Sequence, residues 1–167
     1  MTIIPINPLS KAAFGRFGEV VEAEGAVPIA INQGFAQRCN GLAEIDVANG
    51  GGAVNICLFT ANPRPLPIAI KLMERHPDGS QLFLPLQDRP WLVLVCAHPS
   101  DLSSFRAFSA SGRQGVNYAR NVWHHPLLVQ DKDSRFVVVD RRGPGANLEE
   151  FWLKDEVHLE PMPKTGL

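Results

Sequence analysis

The chain has 167 residues, of which 45% are hydrophobic and 20% charged, and a formal net charge of −1. That length can bury a core without disulfide staples and predicts one domain over 1–167. The near-neutral balance, with Lys and Arg scattered and no basic stripe interleaved with aromatics, argues against nucleic-acid or anionic-membrane surfaces as partners.

The N-terminal MTIIPINPLS has neither a basic n-region nor a long apolar h-region, and no apolar run approaches a membrane span, so the expected location is the cytoplasm. A short helix is predicted over 10–17, with Ser10 as N-cap and Gly18 past its end. Strands are expected over 27–31, 53–60 and 67–75, with Pro63, Pro65 and Pro67 marking an edge segment or loop. Two strongly apolar strands follow over 81–86 and 91–97, and another is expected over 102–110. Residues 115–118 read as a turn or strand start. The runs 127–130 and 135–140 read as a hairpin across 131–134, and a last strand is expected over 151–159. Fourteen glycines and fourteen prolines punctuate these runs. Many short strands with little helix predict a mainly antiparallel β-barrel carrying a short N-terminal helix.

Cys39, Cys57 and Cys96 form no CxxC pair, which argues against a zinc or disulfide site and suits a reducing compartment. Cys57 and Cys96 sit in apolar runs and read as small hydrophobes. His98, in AHPSD, reads as an exposed loop residue, and His158 as a bystander near a polar tail. In MERHPDGSQLFLPL, Glu74 and His76 are two apart and share one face of a strand. Pro-Asp-Gly then suggests a hairpin connection, with Gln81 opening the next strand, so that Glu74, His76 and Gln81 converge at a barrel mouth. In GVNYARNVWHHPLLV, His124 and His125 must point to opposite faces, and the residues leave open which points inward. Arg75, Arg106, Arg113 and Arg120 are candidates to hold a substrate carboxylate, as guanidinium groups do in bidentate fashion. No GxSxG elbow, P-loop or HExxH motif occurs.

The stretches ERHPDGSQLFLP and GVNYARNVWHHPL resemble the signatures of bacterial ureidoglycolate lyases, once described as ureidoglycolate hydrolases. The resemblance extends to FGRFGEVVE, INQGFAQRCNGLA, PRPLPIAI, SSFRAFSASGRQGVNY and VVVDRRG. It implies a cupin-like barrel of the jelly-roll type, a homodimer, a role in allantoin breakdown within purine metabolism, and a divalent metal, nickel in particular. In the cupin ligand pattern, Glu74 and His76 would stand at a histidine pair, Gln81 at the glutamate and His124 at the final histidine. Only two imidazoles of that pattern are present, and Gln81 is a weaker ligand than a carboxylate. The match also selects His124 over His125 as the inward residue, leaving His125 in a supporting role.

The resemblance implies cleavage of ureidoglycolate to glyoxylate and urea by C–N elimination. A base must take the hydroxyl proton and an acid must protonate the departing nitrogen, tasks suited to His124 and His76. Glu74 can share the acid–base work if burial raises its pKa. Gln81, Asn117 and Tyr118 are expected to read the ureido group, and Arg75 or Arg120 the carboxylate, with His125 beside them. Two other readings compete. One is a different cupin enzyme, a metal-dependent isomerase or dioxygenase, which metal analysis would separate. The other is a non-catalytic small-molecule-binding barrel, which would bind ligand and release no product.

Overall fold

Period-two alternation of apolar and polar residues drives most of the chain into strands. The computed structural model describes residues 2–161. Its elements are β1 (Thr2–Ile4), β2 (Ile6–Pro8), α1 (Lys11–Phe14), β3 (Gly18–Val21), β4 (Ile29–Ile31), β5 (Ala36–Arg38), β6 (Ala53–Ala61) and β7 (Ala69–Arg75). They continue with β8 (Gln81–Pro85), β9 (Trp91–Cys96), β10 (Phe105–Ala110), β11 (Gly115–Tyr118), β12 (Trp123–His124), β13 (Leu128–Val129), β14 (Ser134–Arg142) and β15 (Glu149–Leu159). One large sheet runs β1-β15-β7-β12-β9-β10-β2, with β13 added beside β9, the second runs β3-β11-β8-β14-β6, and β4 and β5 form a separate two-stranded sheet. Together the first two form the expected cupin-like barrel. Pairing is antiparallel except where the N-terminal strands join, β1 to β15 and β2 to β10, which are parallel.

The core lies between the two sheets. Trp91, Val93 and Val95 of β9 meet Phe83, Val116, Tyr118, Phe136 and Val138 from the opposite sheet, and the Trp91 and Phe136 rings touch edge-on at 4.9 Å. The alternate residues Leu92, Leu94 and Cys96 enter a second apolar cluster with Ile70, Met73 and Val157. Burial on both faces explains why β9 reads as an unbroken apolar run. The helix is shorter than expected. Ser10 caps it by accepting from the Ala13 N–H, but only Lys11–Phe14 is helical. Packing of Phe14 and Phe17 into the core holds this segment, since so short a helix has little stability of its own. No helix among the described residues is long and apolar enough to cross a membrane.

Two expected hairpins are not hairpins. The strand near 127–130 pairs with β9, whereas β14 pairs with β6 and β8, so the turn at 131–133 carries the chain across the core. The Pro-Asp-Gly segment does the same between β7 and β8, which lie in different sheets. A turn dictates only local reversal, and the apolar faces decide which sheet receives the next strand. This crossing sets the end of β7 and the start of β8 on facing walls of the barrel mouth.

Candidate active site

β12 is two residues long and is wedged between β7 and β9, with His124 opposite both Glu74 and Val95. Val95 belongs to the inner core, so the register turns Glu74 and His124 inward. His124 is 1% exposed, and the Tyr118 ring stacks on it at 4.2 Å and 11°. His76, just beyond β7, brings its ring within 5.2 Å of that of His124. The ligand atoms of Glu74, His76 and His124 all lie within 4.8 Å of one another.

Backbone carbonyls set the tautomers. His76 Nδ1 meets Asn147 O at 2.8 Å and His124 Nδ1 meets Val122 O at 2.9 Å. A carbonyl only accepts, so each Nδ1 carries a proton, and each ring turns its Nε2 toward Glu74. Glu74 Oε1 stands 3.5 Å from His124 Nε2 and 4.0 Å from His76 Nε2. These are ion-pair separations rather than good hydrogen bonds, and the buried His124 Nε2 has no hydrogen-bond partner. Gln81 is oriented by Asp140: its amide nitrogen points to Asp140 Oδ2 at 3.4 Å, and its oxygen therefore faces His76 Nε2 at 3.1 Å. With both imidazoles neutral, four acceptor atoms converge with no donor among them. Such a set is satisfied by a cation, either protons on the imidazoles or a divalent metal on the N/N/O/O set. Nδ1–H groups anchored on carbonyls are the arrangement that orients metal-binding histidines. Glu74, His76, His124 and Gln81 therefore fit a divalent metal.

Burial alone would raise the Glu74 carboxyl, but the imidazoles facing it, His124 first and then His76, outweigh burial when they carry a proton and hold it below the usual range. The expectation of a raised Glu74 is thereby corrected: it is an ionised carboxylate, suited to binding a cation or taking a proton. Burial, reinforced by Glu74, pushes the Tyr118 phenol up, so it stays protonated.

The ureidoglycolate lyase family model matches residues 1–160. A ureidoglycolate lyase of Burkholderia mallei is 49% identical over 166 residues, covering 95% of this chain and 98% of that protein. Ureidoglycolate lyase 1 of Rhizobium meliloti is 49% identical over 164 residues, covering 98% and 96%. A ureidoglycolate lyase of Pseudomonas syringae pv. tomato is 42% identical over 170 residues, covering 99% and 100%. The chain belongs to the ureidoglycolate lyase family.

Not every residue expected to serve a ureidoglycolate lyase site gathers at this cluster. Tyr118 does, and Gln81 does from the facing wall. His125 is also buried, at 3% exposure, with its Nδ1 against Pro126 O at 2.7 Å. Asn117 alternates with the inward Val116 and Tyr118 and instead holds Glu19 Oε2 and Glu44 O, each at 2.8 Å. Arg75 alternates with Glu74, donates to Glu149 and lies over the Trp123 ring. Arg120 pairs with Asp46 at 3.4 Å, Arg113 pairs with Asp88, and Arg106 donates to the carbonyls of Ser103 and Phe105. His98 is exposed as expected. His158 is 6% exposed, where β15 is flanked by β1 and β7.

Asn147, Asp140, Asn55 and Cys57 escaped sequence reasoning. Asp140 Oδ1 accepts from Asn55 Nδ2 at 2.8 Å and lies 3.9 Å from Cys57 Sγ. The signal was alternation. Asn55 and Cys57 share a parity in β6, and Asp140 shares that of the buried Phe136 and Val138 in β14.

Proposed function

We propose that this chain is a ureidoglycolate lyase: it cleaves ureidoglycolate to glyoxylate and urea by elimination across the C–N bond, as a step of allantoin breakdown. The observation that carries this reading is the convergence of four acceptor atoms, from Glu74, His76, His124 and Gln81, in a family member. The substrate bears a carboxylate, a hydroxyl and a ureido group on one carbon. Its α-hydroxy acid end suits the His76–His124–Glu74 wall. A base there takes the hydroxyl proton, the carbonyl of glyoxylate forms as the C–N bond breaks, and the departing nitrogen gains a proton to become urea. Glu74, held ionised, is suited to accept the first proton, and the imidazole of His124 or His76 to supply the second. The Tyr118 phenol and Gln81 serve substrate positioning from the facing sheet.

The residues that would hold a divalent metal are His76, His124 and Glu74, with Gln81 as a weaker oxygen donor; nickel is the ion we propose. Such an ion, when bound, lowers the pKa of a coordinated hydroxyl. Arg75, Arg120, Asn117 and His125 act indirectly in this reading, by tying down the segments that carry the inward residues. In this reading the chain is one barrel domain, working in the cytoplasm as a homodimer. Support for the dimer comes from the outer face of the second sheet. Ile56 and Leu58, each 71% exposed, lie beside Val139 and Val137, an apolar grid of the kind that marks a protein interface.

The deciding assay follows glyoxylate and urea from ureidoglycolate, with and without a chelator. Stoichiometric urea with loss of rate on chelation is expected. Ammonia in place of urea would mean hydrolysis, and absence of glyoxylate would overturn the reading.

A further inference from the structure

Asp140 is a carboxylate on the inner wall that none of the chemistry above uses. It is half buried, and among the described residues no Lys, Arg or His nitrogen lies within ion-pair distance of it. Withdrawing a charge from water without a cation is costly, so this placement asks for a partner. Two neutral amides orient it. Asn55 Nδ2 donates to Oδ1 at 2.8 Å, while the Gln81 contact to Oδ2 is long, at 3.4 Å. Oδ2 therefore keeps acceptor capacity facing the mouth. Gln81 also ties Asp140 to the His76 cluster, since the same side chain spans both.

We propose that Asp140, held by Asn55, is the seat of the ureido group and sets the direction in which substrate enters; this rests on the lyase reading given above. A ureido group presents two N–H donors side by side on the face away from its carbonyl. An ionised carboxylate offers two acceptor oxygens at matching separation, the same fork-to-fork complementarity by which guanidinium and carboxylate pair. The reverse orientation would push the substrate's own carboxylate against Asp140, which has no cationic group beside it, whereas the Glu74 wall carries the imidazoles of His76 and His124 to offset its charge. The α-hydroxy acid is thus directed to the His76–His124–Glu74 wall and the ureido group to the β6–β14 wall, with Gln81 between them. Asp140 acts on binding and orientation.

The test compares wild type with Asp140→Asn, using two ligands that do not turn over: oxalurate, which carries the ureido group, and glycolate, which lacks it. Dissociation constants are measured by titration calorimetry, alongside KM and kcat for ureidoglycolate. Loss of a charge-assisted pair predicts oxalurate binding weaker by about ten- to a hundredfold and a KM raised by a similar factor. Glycolate affinity and kcat should move far less. Selective loss of oxalurate affinity in a protein without turnover would uphold the seat and sink the lyase reading. Equal oxalurate affinity in both proteins, or equal loss for both ligands, would overturn the seat whatever the turnover. If Asp140→Asn lacks a cooperative thermal transition, Asn55→Ala replaces it, with the same selective loss expected and the same result overturning the proposal.

Discussion

Single imidazoles in this barrel are distinguished by what each Nδ1 and Nε2 can reach. His124 and His76 turn their Nε2 atoms on one ionised carboxylate, His124 without a hydrogen-bond partner and His76 also facing Gln81. We expect His124→Ala, His76→Ala and Glu74→Gln each to lower kcat by about a hundredfold or more, with bound metal measured in parallel. Near-normal turnover in both histidine variants would remove them from the chemistry. His125 behaves differently. Burial pushes its imidazole down to about 4, against about 6.5 for a free histidine. Between those values the unfolded chain binds a proton that the folded chain refuses. Stability is therefore fully present above about pH 6.5 and is lost as pH falls toward about 4, by roughly 3 kcal/mol for this residue alone. Urea unfolding from pH 7.5 to 4.5 should show that slope in the wild type and a shallower one in His125→Leu.

At the scale of elements, the site depends on strands too short to stand alone. β12 contributes two residues, and its place is set by pairing on both sides with β7 and β9. β11 carries Tyr118 between β3 and β8. Its pairing with β3 requires a glycine at position 18, where φ is +144° and an added Cβ would lie 2.0 Å from Asn117 O. That region of backbone space is nearly closed to other residues. Gly18→Ala should cost about 2 kcal/mol or more of stability, read as a lower midpoint in thermal unfolding. It should also reduce turnover, because β11 shifts with the Tyr118 ring that stacks on His124. Unaltered stability would mean that β3 can withdraw without disturbing β11.

For the whole molecule, the question is what covers the outer face of the second sheet. Ile56 and Leu58 of β6 lie beside Val139 and Val137 of β14, which in turn oppose Leu82 and Leu84 of β8. The uncovered apolar surface on the side away from the core is carried by β6 and β14, since Leu82 of β8 is already buried within the chain. If two copies meet there, Leu58→Glu should halve the mass seen by sedimentation equilibrium, because an unpaired carboxylate in an apolar interface is strongly disfavoured. A dimer of undiminished mass would place the interface elsewhere.

Period and composition were enough to determine a β-rich barrel, a capped turn of helix at Ser10 and the spans of β6 to β9, since alternation and Gly/Pro punctuation are local properties; the strand expected over 102–110 begins only at Phe105, after a 3-10 turn over Leu102–Ser104. They also marked Glu74, His76 and the His124–His125 pair, of which the family resemblance selected His124. The three-residue strands β1, β2 and β5 carry too few residues for a period to register. Which strands pair was hidden for another reason: the turns at Pro77–Gly79 and Asp131–Asp133 reverse the chain equally well within a sheet or across the core, and only burial of both faces of β9 decides between them. The same decision turned Asn117, Arg75 and Arg120 away from the mouth and brought in Asp140 and Asn55, whose parity gives the face each takes on its strand but not the residues it meets there. Sequence alone determined the chemistry of the side chains and the face each one takes on its own strand. The tertiary structure decided which faces meet, because that depends on contacts between residues tens of positions apart, whose shared burial no local window contains.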